Sequence, residues 1–159
     1  SASFLMVGYG AAAMITALGL AGVQSERTRG RLFLWLGVLS GLTPFALAMS
    51  PNLTLAVLSA VVMGSAQGGF MTLGQAMVQS IAPDAIRGRV MGVYTWHIQG
   101  FMASFNLLNG SLAGLSALTA PVILGAGGIG FMVIMAFSFA RYSLRLVYAQ
   151  GVPIAARSD

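Results

Sequence analysis

The side chains best suited to hold a small molecule are five amides at helical spacing. Gln75 and Gln79 lie four residues apart, and Gln99, Asn106 and Asn109 follow one another at intervals of seven and three. Because an α-helix repeats every 3.6 residues, each set would share roughly one side of a helix. Amides donate and accept hydrogen bonds without carrying a charge. These five residues are therefore the predicted substrate contacts.

His97 is the one histidine of the chain, and three interpretations of it stay open. It is a hydrogen-bonded packing residue, a proton carrier, or an axial ligand of a pigment or haem. Packing is the simplest of the three, because no residue near it in the sequence pairs with the imidazole.

Other catalytic chemistry finds little support in the sequence. The chain has no cysteine, which excludes disulfides and thiolate metal sites. It also has neither zinc-ligand spacing nor the nucleophile elbow of a hydrolase. We therefore expect no enzymatic activity, no metal and no cofactor.

The elements that position these residues must lie in a lipid bilayer. The 159 residues are 57% hydrophobic and 7% charged, with a mean hydropathy of +0.86, whereas a soluble domain carries about 25% charged residues. The apolar stretches predict an all-α, polytopic bundle of about five transmembrane helices within residues 1–140, followed by a cytoplasmic tail at 141–159. The expected spans are residues 4–23, 32–49, 53–82, 90–115 and 120–140.

The arginines predict the topology. All eight basic residues are arginines, and they fall in three clusters that separate or follow the apolar stretches. The positive-inside rule then places the N-terminus outside and the C-terminus in the cytoplasm. Such short clusters anchor helix ends at an anionic leaflet, so the basic charge does not indicate nucleic-acid binding. Within the first two clusters, Gly30 and Gly88 are expected to permit tight turns with a positive φ.

Small residues predict where helices touch. Gly64 and Gly68 share a face with Thr72, Gln75 and Gln79, and close approach in lipid favours small residues. The glycine half of this face is expected to be a helix contact. A similar stripe in the first span consists of Gly8, Ala12, Ile15, Gly19 and Gly22. The glycine-rich run at residues 125–130 is expected to be a flexible or closely packed helix.

Two loops resemble those of a known transporter family. The run APDAIRGRVMGVY at residues 82–94 resembles the cytoplasmic loop between the tenth and eleventh helices of bacterial major facilitator superfamily transporters, above all the drug and siderophore exporters. The run that ends in RGRL at residues 29–32 is similar to the loop between the eighth and ninth helices, although Arg27 and Thr28 depart from its full signature. The residues that carry the resemblance are Gly30, Arg31, Asp84, Arg87, Gly88 and Arg89.

The resemblance implies helices eight to twelve of a secondary active exporter in the bacterial cytoplasmic membrane. In that family the eleventh helix helps to line the central cavity. The resemblance would therefore place Gln99, Asn106 and Asn109 beside a small-molecule substrate. The apolar stretches contain no acidic residue, so a proton-coupling carboxylate, if the transporter uses one, would lie in another part. The missing N-terminal half would be the partner.

The start of the chain and the odd number of spans predict a piece of a larger protein. The first residues are Ser-Ala-Ser rather than Met, and they lack the charged region of a signal peptide. An alternative is a transporter-derived accessory or scaffold subunit of a larger membrane complex, without transport activity. In that case the partners are other membrane subunits.

Overall fold

The structure, a computed structural model, describes residues 2–23, 25–113 and 119–141. Its regular elements are the five helices α1 (Ala2–Ala21), α2 (Glu26–Ala48), α3 (Leu53–Ile81), α4 (Arg87–Ala113) and α5 (Thr119–Ala140). The all-helical prediction is confirmed in this part of the chain. All of the predicted tail except Arg141 (residues 142–159) lies outside the described residues.

Four of the five helices are long and apolar enough to cross a membrane. These are α1, α2, α3 and α5, whose mean hydropathies range from 1.5 to 2.2. The exception is α4, which is long enough at 27 residues but carries Trp96, His97 and several amides that lower its hydropathy. The chain therefore has the helices of a multi-pass membrane protein, with four spans supported by length and composition.

Two helices begin earlier than their apolar stretches predict. We expected spans to start at residues 32 and 90, but α2 begins at Glu26 and α4 at Arg87. The first turn of a helix accommodates charged residues. Glu26 is also favourable there because its negative charge lies at the positive end of the helix dipole. Gly30 and Gly88 consequently lie inside helices, and the expectation of tight turns at these two glycines is wrong.

The contact between α1 and α3 depends on glycine. A Cβ atom on Gly64 would overlap the carbonyl oxygen of Tyr9 and lie 2.8 Å from its carbonyl carbon, and one on Gly68 would lie 2.8 Å from the Cβ atom of Ala13. This confirms the predicted helix contact at both glycines. The stripe predicted on α1 is correct only in part: Gly8 packs on α3 and Ala12 is buried, but Ile15 is exposed and Gly19 faces open space.

The centre of the bundle is formed by α3, α2 and α5. The ring of Phe70 on α3 stacks on Phe33 of α2 at 4.3 Å and meets Phe131 of α5 edge-on at 5.7 Å. The second tight contact joins α2 and α5, where a Cβ atom on Gly128 would lie 2.8 Å from the carbonyl oxygen of Gly41. The glycine-rich run is therefore closely packed at Gly128.

The fourth helix lies at the edge of the bundle. It touches α3 and α5 over a few residues, whereas α1 packs against α3, α3 against α2 and α2 against α5 over many more. Most of the side chains of α4 that the structure describes are exposed, and none is fully buried. The fourth helix therefore has little support from its neighbours.

Candidate functional site

A cleft of about 590 Å³ between α3 and α4 brings together three of the five predicted amides. Gln75 and Gln79 project from α3, and Gln99 projects from α4. The rest of the lining comes from one face of α4, with Met91, Gly92, Thr95 and Trp96. Residues that are 20 to 24 positions apart in the sequence thus meet across a single opening.

The cleft offers uncharged hydrogen-bonding groups beside an aromatic surface. Its lining contains three amides, the hydroxyl of Thr95 and the indole of Trp96, and none of the seven lining residues is charged. The indole is 78% exposed, so its face is free for a ligand. Such a lining can bind an uncharged or aromatic molecule, or a cation through the ring face, but it has no group that titrates near neutral pH.

The two predicted asparagines cannot be assigned to this cleft. The backbone of Asn106 and Asn109 lies in α4, but their side chains lie outside the described part of the structure. Of the predicted α4 stripe, the side chain that the structure describes is that of Gln99, and it lines the cleft.

A polar pair between α1 and α3 was not anticipated from the sequence. The hydroxyl of Tyr9 donates a hydrogen bond of 2.8 Å to Oε1 of Gln67. Gln67 lies one turn from Gly64, which contacts the backbone of Tyr9. The hydrogen bond therefore lies directly beside the tight glycine contact between the two helices. A signal was present, because a glutamine and a tyrosine in two apolar spans each need a partner in lipid.

His97 lies away from the cleft, on an exposed part of α4. Its ring contacts Phe101, one turn further along, with the ring centres 4.9 Å apart. No group of three or more His, Cys, Asp or Glu side chains that could hold a metal is found within the described ranges. The packing contact with Phe101 agrees with the simplest interpretation, and the roles as proton carrier or pigment ligand stay predictions.

The first arginine of each Arg-Gly-Arg motif ties its helix to the end of the preceding one. In the first loop, Arg29 forms an ion pair with Glu26 at 3.2 Å, and its Nε donates a hydrogen bond of 2.7 Å to the carbonyl oxygen of Val23. In the second loop, Arg87 forms an ion pair with Asp84 and donates a hydrogen bond to the carbonyl oxygen of Ala82. Both arginines donate to a carbonyl oxygen one or two residues beyond the end of the preceding helix.

The two loops share the spacing acid-x-x-Arg-Gly-Arg, with Glu26 and Asp84 in the acidic position. Asp84 was predicted as a residue of the second motif, whereas Glu26 was not assigned to the first, although the interval of three residues is the same. The second arginines, Arg31 and Arg89, are exposed and are not tied to these turns. The first arginine of each motif therefore has a structural role, and the second is free for other contacts.

Comparisons with protein-family models, curated protein sequences and solved structures found no match. The likeness to major facilitator transporters therefore rests on the two loop motifs.

Proposed function

We propose that the chain forms part of a secondary active transporter and that the cleft between α3 and α4 is one wall of its substrate path. The observation that carries the proposal is the convergence of Gln75, Gln79 and Gln99 on one opening. Amides at membrane depth are stable where they face protein or a water-filled cavity, not lipid. A volume of about 590 Å³ also falls within the usual range for small-molecule pockets, about 300 to 1,000 Å³.

The exposure of α4 supports a larger assembly around this wall. A helix with amides and a histidine that packs weakly on its neighbours would be stable in lipid only when further helices cover it. In a transporter that works by alternating access, two bundles rock around a site near the midplane. The second bundle would cover α4 and complete the path. This arrangement agrees with the proposed place of the chain in a bacterial major facilitator exporter of small molecules.

We further propose that α4 also spans the membrane and brings the number of spans to five, with the N-terminus outside and the C-terminus in the cytoplasm of a bacterial inner membrane. Because the chain has no cysteine, single cysteines report the topology directly. Asn52→Cys in intact cells should react with an impermeant maleimide, whereas Thr28→Cys should react only after permeabilisation. The reverse pattern would refute the orientation.

The same chemistry tests whether the cleft contains water. Gln75→Cys, Gln79→Cys and Gln99→Cys should react with a small hydrophilic maleimide in inside-out vesicles. Ile134→Cys is the matched control, since Ile134 lies six residues from the end of α5, as Gln75 does in α3, and is 64% exposed but lines neither the cleft nor the apolar groove between α2 and α5. Equal reaction rates at all four positions would contradict a separate aqueous path.

Transport itself is tested with ethidium, a planar cation, as the probe. In cells that express the protein, Gln99→Leu should slow ethidium efflux. Ser104→Ala is the control, because the hydroxyl of Ser104 is bonded to the carbonyl of Gly100 on its own helix. Efflux that does not depend on Gln99 would remove the cleft from the substrate path.

A second proposal is an accessory or scaffold subunit of a larger membrane complex, and the unsupported surface of α4 favours it as well. In that case other subunits would fill the cleft. The three cysteine variants would then stay unlabelled in native membranes, and the purified chain would co-migrate in fixed proportion with a large assembly. A cleft that is labelled in those membranes argues against the scaffold.

A further inference from the structure

A second, apolar groove of about 320 Å³ runs between α2 and α5 on the outside of the bundle. It is separate from the polar cleft and shares no lining residue with it. Its floor and walls are aliphatic, aromatic and thioether side chains, of which Trp35 is 66% exposed. The lining residues are Leu34, Trp35 and Val38 of α2 and Met132, Met135, Ala136 and Phe139 of α5.

The groove lies at the arginine-rich end of the bundle. The two helices run antiparallel, because the neighbour of Gly37 is Met135 and the neighbour of Gly41, one turn later, is Met132. This register places the start of α2 beside the end of α5. The groove therefore opens one to two turns from the end of the membrane-spanning segment, where lipid headgroups would lie.

Two arginines continue the line of the groove on α2. Arg27 and Arg31 precede Leu34, Trp35 and Val38 at helical spacing, so all five share one face. Both arginines are exposed. The acidic residues of the described part are engaged elsewhere, Glu26 with Arg29 and Asp84 with Arg87. The face thus combines an apolar groove with uncompensated positive charge at its outer end.

We propose that this groove binds an anionic phospholipid, with an acyl chain against Trp35 and the phosphate on Arg27 and Arg31. Apolar surface beside basic residues at a membrane surface is complementary to a lipid of this kind. Guanidinium groups bind phosphate through paired hydrogen bonds. Tryptophan is also enriched at the membrane interface, where acyl chains meet headgroups. The site does not depend on transport, since its residues lie outside the polar cleft.

The position of Trp35 provides a direct reporter. The chain has two tryptophans, so Trp96→Phe leaves Trp35 as the sole indole. This variant is reconstituted into vesicles that contain brominated phosphatidylglycerol or brominated phosphatidylcholine, whose bromines quench an adjacent indole. We expect quenching of Trp35 by brominated phosphatidylglycerol at a lower mole fraction than by brominated phosphatidylcholine.

The headgroup contact is tested on the same background. Arg31→Gln should lower the preference for phosphatidylglycerol by about fivefold, the usual contribution of one basic residue at a membrane surface. Arg89→Gln is the matched control: Arg89 is the exposed second arginine of the other loop motif and lies on α4, which contributes no residue to the groove between α2 and α5, so the preference should not change. Far-UV circular dichroism checks that both variants stay folded.

Three results would overturn the proposal. Equal quenching by the two lipids would show that the groove does not select an anionic headgroup. A preference that survives Arg31→Gln, or is lost equally in Arg89→Gln, would place the headgroup elsewhere. Quenching by neither lipid would mean that protein, such as a second copy of the chain, covers the groove.

Discussion

Replacing Gly64 with alanine is expected to separate α1 from α3. A Cβ atom at this position would overlap the carbonyl oxygen of Tyr9 and lie 2.8 and 2.9 Å from its carbonyl carbon and Cα atom. All three neighbours are backbone atoms, so no side-chain rotation relieves the overlap. Since ordinary contacts of this kind begin near 3.4 Å, α1 as a whole would have to shift, by roughly 1 Å in a closely packed interface.

The expected cost follows from two opposing terms. Overpacking a tight contact costs about 1 to 3 kcal/mol, and the same shift would lengthen the bond between Tyr9 and Gln67. Alanine is a better helix former than glycine, by up to about 1 kcal/mol. We therefore expect Gly64→Ala to lower the free energy of unfolding by about 1 to 2 kcal/mol, because the steric cost exceeds the gain in propensity.

The assay follows unfolding in mixed micelles as the proportion of SDS is increased. A brief exposure to protease measures the unfolded fraction at each step, because only unfolded chains are cleaved. Gly10→Ala is the matched control: Gly10 lies on α1, and an added Cβ atom would meet nothing within 4 Å. Its stability should be unchanged or slightly higher. If Gly64→Ala is as stable as Gly10→Ala, the close approach of α1 and α3 is not the contact described above.

Three further changes are expected to lower stability in the same assay. Tyr9→Phe removes the donor to Gln67 and should cost about 0.6 kcal/mol, the average for hydrogen bonds between membrane helices; no loss would mean that the bond is absent in lipid. Gly128→Ala should destabilise the contact of α5 with α2, whereas Gly127→Ala, which faces open space, should not; similar midpoints would refute that contact. Asn52→Ala removes the side-chain cap of α3 and should cost about 1 kcal/mol, while an unchanged midpoint would show that water replaces the cap.

Local patterns were sufficient to predict most of the helices. The predicted span at residues 53–82 differs by one residue at its end from α3 (Leu53–Ile81), because a turn with Asn52 and a proline at Pro83 bound a long apolar run. The starts of α2 and α4 were missed, because hydropathy shows where an apolar stretch begins. It does not show where the backbone hydrogen bonds of the helix begin. Glu26 and Arg29 stabilise the first turn of α2 by an ion pair that hydropathy does not register.

The sequence predicted which glutamines belong to the candidate site but not how they are arranged in space. Spacing placed Gln75 and Gln79 on one face and identified Gln99 as polar. That these faces meet across one opening depends on the placement of α4 beside α3, which no short-range pattern encodes. For the same reason the groove beside Trp35 and the bond between Tyr9 and Gln67 were not anticipated.

By itself the sequence determined that this protein belongs in a bilayer, roughly where its helices lie, and that Gly64 and Gly68 allow close approach, because these properties depend on composition and on residues three or four positions apart. Only the tertiary structure decided which helices are neighbours. It separated the arginines that close the turns from those that stay exposed, and it left α4 at the edge of the bundle. These outcomes depend on contacts between residues far apart in the chain, which small residues permit but do not select.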